Sequence, residues 1–147
     1  MKTYVITLSK TFLKGHKRAG EPTGFAEKFC SEKIHTIRGN YLLWSERIGE
    51  VMRGEACLSI RQWSGKPYRS KQIELAVLTN KDGVGIQFLD IDLKQGFACH
   101  ILGVPVLVPS FMIANNDGLS LDDWKEWFKC YDLSQPMAII HFTKFRY

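Results

Sequence analysis

Apolar and polar positions alternate two by two along much of this chain. Residues 3–12 set Tyr4, Ile6 and Leu8 against Val5 and Thr7, the period of a half-buried strand. A basic, glycine-bearing loop follows at 13–22. Residues 23–32 change the period: Phe25 and Phe29 lie four apart behind Thr23, which predicts a short helix with a threonine cap. Residues 33–38 return to period two and predict a second strand. In 39–55, Leu43, Arg47 and Val51 repeat every four residues, as do Trp44 and Ile48. One or two helical turns are expected despite Gly49, with Gly54 as the stop.

Strand patterns dominate the next part. Ala56, Leu58 and Ile60 face one way and Cys57, Ser59 and Arg61 the other. After a turn at 64–68, residues 70–79 and 83–93 read as two strands joined in a hairpin through Asp82-Gly83. Residues 97–108 form an apolar strand region broken by Gly103 and Pro105. A helix start is marked by Ser120 as cap, Asp122 and Asp123 in the first turn, and Leu121, Trp124 and Phe128 on one face. A final strand is expected over 135–147. The sum is a single α+β domain over residues 1–147 with six or seven strands and two or three short helices. The short strands lack βαβ alternation, which favours a small mixed β-barrel over a doubly wound sheet.

Length and composition narrow the function classes. The 147 residues suit one domain, and 45% hydrophobic with 24% charged residues marks a globular chain rather than a disordered one. No run approaches the roughly 20 apolar residues of a membrane helix. The N-terminus alternates like a strand rather than a signal peptide, so a cytoplasmic protein without a membrane partner is expected.

The net charge of +5 permits a polyanionic partner. Basic residues load the first forty positions. Arg61, Lys66, Arg69 and Lys71 form a second cluster interleaved with Trp63 and Tyr68. Cations mixed with aromatic rings suit nucleic-acid backbone contact plus base stacking, and also suit a solvated loop. Cys30, Cys57, Cys99 and Cys130 contain no C-x-x-C pair, and the four histidines no H-x-x-x-H pair. Buried free thiols are expected, with no metal and no cofactor. Asp90 and Asp92 share a strand face, which reads as solvated.

The second strand carries the candidate chemistry. Alternation puts Thr36 and Arg38 on one side, His35 and Ile37 on the other, and Lys33 at the strand entrance, free to swing toward Thr36 and Arg38. Lysine, threonine and arginine converging there supply donors for a phosphate or a carbonyl oxygen. An edge strand with a solvated polar face has the same pattern.

The element Lys33-Ile-His-Thr36-Ile-Arg38 follows "GEPTGFAEKF" and is followed by "IANNDGLS" and the strand "AIIHFTKF". In this order the chain resembles the ASCH domain family, relatives of the PUA RNA-binding barrels, over most of its length. The resemblance implies a small β-barrel decorated with helices, and a cleft facing the K-x-x-T element that binds RNA or a modified nucleoside. Some small members are amidohydrolases that deacetylate 4-acetylcytidine with a lysine, a threonine three residues on and a later carboxylate. These correspond to Lys33, Thr36 and Asp117. The amidohydrolases carry glutamate where this chain has Asp117, one methylene shorter.

The expected binding set is Lys33, Thr36, Arg38 and Asp117, with Trp44, Trp63 and Tyr68 as stacking rings. The alternatives are the amidohydrolase and an adaptor that binds a protein partner through an exposed strand edge. Residues 71–97 exceed what a minimal member of the family needs.

Overall fold

The structure is a computed structural model that describes residues 1–92, 98–103 and 107–147. Each alternating stretch forms a strand where one of its faces meets the core. The first is β1 (Lys2–Leu8), whose Ile6 and Leu8 are buried. Helix α1 (Phe25–Lys28) is shorter than its pattern. Gly24, not Thr23, precedes it; the Thr23 hydroxyl donates to the Ser9 carbonyl at 2.7 Å and accepts the Phe25 N–H at 3.3 Å, tying the preceding loop to the helix start from one position further out. Strand β2 (His35–Arg38) leads to α2 (Tyr41–Met52), which Asn40 caps by accepting from the Leu43 N–H. Gly49 costs this helix about 1 kcal/mol relative to alanine. Full burial of Ile48 and Val51, at about 1.5–3 kcal/mol each, outweighs it.

The remaining elements are β3 (Ala56–Trp63), β4 (Gln72–Leu78), β5 (Gly85–Asp92), β6 (Ala98–Ile101), β7 (Val108–Pro109), α3 (Ser110–Asn116), α4 (Leu121–Phe128) and β8 (Met137–His141). Ser120 caps α4 as expected, accepting from the Asp123 N–H. Helix α3 lies in a stretch whose sequence announces no cap, and is held by the buried Ile113 and Ala114.

Two sheets result. One has the order β1-β3-β4, with β1 parallel to β3 and β4 antiparallel to it. The other is antiparallel in the order β2-β8-β5-β6-β7. Strand β8 is central and buried on both faces, which its unbroken Met-Ala-Ile-Ile run permits. The described residues form an α+β architecture with two sheets and four helices. Among the described residues no ladder joins the sheets, so the expected barrel is not closed by hydrogen bonds.

The expected hairpin is absent for a related reason. Strand β4 pairs with β3 while β5 pairs with β6 and β8, so the 80–83 link crosses between sheets. It does so as one 3₁₀ turn (Asn80–Asp82) closed by a Thr79–Asp82 capping box and Gly83 at φ +89°.

The final strand stops at His141 rather than running to 147. The tail folds back over the 83–85 segment, where a Cβ on Gly83 would stand 2.7 Å from the Lys144 backbone nitrogen. Cys30, Cys57 and Cys130 are free, but Cys30 and Cys130 are exposed and Cys57 half-buried, since the first two lie in loops; the Cys99 side chain lies outside the described residues. Asp90 and Asp92 are exposed, and no described cluster of His, Cys, Asp and Glu could hold a metal ion. No described helix is long and apolar enough to cross a membrane.

Candidate functional site

The site lies where the two sheets part. Strands β1 and β2 each occupy a sheet edge, and Arg38 spans the gap: its Nη2 donates to the Thr7 carbonyl at 2.8 Å. Arg38 Nε is buried without a protein partner. Burial holds the guanidinium below its ordinary pKa, against the opposing pull of Tyr131 and Asp117.

Backbone geometry brings Lys33 to Asp117. Helix α3 ends in a Schellman motif, with the Gly118 N–H on the Asn115 carbonyl at 3.1 Å and the Leu119 N–H on the Ala114 carbonyl at 3.0 Å. Gly118 supplies the required φ of +79°. The chain at 33–34 is stitched to this helix end through the Ile34 N–H and the Asn116 carbonyl at 2.9 Å.

Lys33 Nζ then donates to Asp117 Oδ1 at 2.8 Å and to the Asp117 carbonyl at 2.9 Å, and lies 4.1 Å above the Phe25 ring centroid. Both side chains are almost fully buried. Burial pushes the Lys33 amine below its ordinary value, with Arg38 and Lys28 adding to the effect and Asp117 opposing it. Burial alone would raise the Asp117 carboxyl. Lys33 and His35 together outweigh that and hold it below the usual carboxylate range.

A small cavity of about 60 Å³ is lined by Lys33, Thr36, Arg38 and Asp117, with Phe25, Trp127 and Tyr131 among its walls. It has room for a small functional group. A larger cleft of about 640 Å³ adjoins it, and Leu8, Ser9, Leu13 and Arg38 are common to both. Its volume falls in the range of small-molecule sites. Trp44, Trp63, Tyr68, Lys10 and Lys66 line it. The Trp63 and Tyr68 rings stand 5.2 Å apart, and Tyr68 is exposed at φ +63°.

All seven residues expected from the sequence therefore line one of two adjoining cavities, with Arg38 in both walls. Of the expected basic cluster only Lys66 does so; Arg61 is turned to Ser59 Oγ and Gln72 Oε1. Thr36 and Arg38 share a face as alternation requires. Strand β2 is nevertheless not a solvated edge face, because His35, Thr36 and Ile37 are all buried.

Sequence reasoning passed over His35, Asn116 and Tyr147. The Tyr147 hydroxyl lies 2.6 Å from His35 Nε2 and accepts from Asn116 Nδ2 at 3.0 Å. His35 Nδ1 faces Asp117 Oδ1 across 3.6 Å. Proximity to Lys33 was the one local signal for His35. Tyr147 has none, since the tail must first fold back.

Gly118 offers a direct check on this geometry. A Cβ there would stand 3.0 Å from Lys33 Cβ, at a backbone angle that costs a side chain about 1–2 kcal/mol. Gly118→Ala is expected to lower unfolding stability by at least that amount in urea titrations. Stability within 0.5 kcal/mol of wild type would contradict the packing described.

No family model matches this chain, and neither a curated protein nor a solved structure is similar enough to count as a match.

Proposed function

We propose that this protein is an ASCH-type domain of the PUA-like class that binds RNA or a modified nucleoside or nucleotide. One observation carries the reading: a deep polar cavity opens beside a basic, aromatic-lined cleft, with Arg38 in both walls. Trp44, Trp63 and Tyr68 offer rings for a base, Lys10 and Lys66 offer charge for phosphate, and the small cavity takes a substituent on the base. The order of the motifs along the chain supports this reading. Its barrel description rests on the resemblance.

Fluorescence titration with short single-stranded RNAs, with and without 4-acetylcytidine, tests this reading. Trp63→Ala is expected to weaken binding by about 1–3 kcal/mol, the contribution of one stacked base. Affinity should fall as salt rises. Salt-independent affinity that survives both Trp63→Ala and the double variant Lys33→Ala, Arg38→Ala would place the ligand elsewhere.

The second reading, an amidohydrolase, is favoured by the convergence of Lys33, Thr36 and Asp117 on one cavity and by the depressed Lys33 amine. A neutral Lys33 would take the Thr36 proton as the hydroxyl attacks an acyl carbon, and return it to the amine as the C–N bond breaks; water then hydrolyses the acyl-threonine, freeing the carboxylic acid and restoring the hydroxyl. The ion pair with Asp117 opposes this by favouring the charged lysine. Release of cytidine from 4-acetylcytidine, lost in Thr36→Ala, would decide for hydrolysis. No turnover leaves the binding function.

A further inference from the structure

Behind the candidate site runs a polar chain that none of the binding residues explains. The Tyr147 hydroxyl oxygen accepts from Asn116 Nδ2 at 3.0 Å, and we take its own proton to be given to His35 Nε2 at 2.6 Å. That places the ring proton of neutral His35 on Nδ1. Nδ1 is buried and makes no hydrogen bond, yet it faces Asp117 Oδ1 at 3.6 Å, the same oxygen that Lys33 holds at 2.8 Å. A buried donor left without an acceptor costs about 1–3 kcal/mol. Here the acceptor stands less than an ångström too far away and is engaged by another partner.

We propose that His35, oriented by the Tyr147 hydroxyl, is a positioning residue that offers Asp117 an alternative partner and so releases Lys33 for the ligand. The proposal rests on the reading of Lys33 as a ligand-binding or catalytic group. A small turn of the Asp117 carboxylate toward His35 makes the missing hydrogen bond as the lysine's is given up. The His35–Asp117 hydrogen bond returns part of what the lost ion pair costs, and a ligand oxygen or acyl group entering the small cavity, by accepting from Lys33, supplies the rest.

Among the described residues, the charged and titratable groups around the pair are Lys28, Lys33, Arg38, Asp117, His141, Tyr147 and, beyond Arg38, Tyr131. Only Asp117 among them is a carboxylate. Its charge is divided between Lys33 and His35. With His35 gone, or turned away, the carboxylate acts on Lys33 alone and stabilises the ammonium form. The Lys33 titration must then move up.

The test reads Lys33 itself and needs no ligand. Protein labelled with ¹³C at lysine Cε is titrated by NMR, with the Lys33 signal identified by its loss in Lys33→Arg. Tyr147→Phe, which keeps the ring, and His35→Phe are compared with wild type after amide spectra show the fold retained. An upward shift of about one pH unit in Tyr147→Phe is expected. An unchanged or lowered Lys33 titration in that variant overturns the proposal, whatever ligand is bound. If the shift appears but neither RNA nor 4-acetylcytidine binds, the coupling stands and the functional reading fails.

Discussion

Replacing Asp117 with leucine is expected to cost about 3–5 kcal/mol of stability, the largest effect of any single change near the site. The reason lies in the partner rather than in the bond removed. Lys33 is buried against the Phe25 ring, with only the small cavity beside it. Without Asp117 it must either stay as an unpaired buried charge or give up its proton. The double variant Lys33→Met, Asp117→Leu removes both charges and should recover most of the loss. Urea midpoints for the wild type, both single variants and the double variant form a closed cycle. A double variant no more stable than Asp117→Leu would show that something other than the stranded charge is responsible.

An exposed pair provides the contrast: Arg53 and Glu55 are 3.0 Å apart on the surface, where water and salt screen the attraction and little stability depends on it. The pH dependence of Asp117 has a definite sign. Its folded pKa lies below the ordinary 3.8, so its contribution is complete above that value and is lost only as pH falls through the folded value.

Mild acid should unfold the protein through a different residue. His141 is fully buried on β8, and burial, with His35 and Arg146 adding to it, pushes its pKa down from 6.5 to about 3. Its Nε2–H donates to Gln87 Oε1 at 2.9 Å, an oxygen that also accepts the Tyr147 N–H. The proton would have to go to Nδ1, which is buried without a partner. The unfolded chain takes up this proton as pH falls below 6.5, whereas the folded chain resists until about 3. Stability is therefore complete above pH 6.5 and falls by about 1.4 kcal/mol per pH unit below it.

A loss on the order of 5 kcal/mol across that window would exhaust much of the stability of an ordinary domain. His141→Gln keeps a donor for Gln87 and has nothing to protonate. Its stability at pH 7.5 is expected to be lower because of imperfect packing, but its slope between pH 6.5 and 4 should be nearly flat. Equal slopes in the two proteins would remove His141 as the cause.

These predictions draw on features that were legible to different degrees in the sequence. Period-two alternation located β1, β2 and β3. The Ser120 cap with its acidic first turn located α4. Such features are visible because they repeat within a few residues and follow from backbone geometry alone. The 80–83 turn was misread because Asp-Gly marks a reversal without naming the sheet each strand joins. Helix α3 was missed because seven residues with no side-chain cap carry almost no period. The final strand was read too far, since Phe142 and Phe145 continue its apolar character into a tail that turns away at Thr143.

The site divides in the same way. Residue types and their i, i+2 spacing on β2 were enough to set Thr36 and Arg38 on a common face. The resemblance to the ASCH family, rather than local spacing, is what linked Lys33 with Asp117, and local composition marked Trp63 and Tyr68. Whether those groups meet depends on contacts between residues up to 84 positions apart, as for Lys33 and Asp117. The gap between β1 and β2 that makes the cleft, the burial that depresses the Lys33 amine, and the tail that brings Tyr147 to His35 belong to the tertiary structure alone. Local pattern determines which face a side chain occupies, because that is a property of one strand or helix. What stands opposite that face, and how much water remains there, is set by how whole elements pack, and on that the charge state of a buried lysine depends.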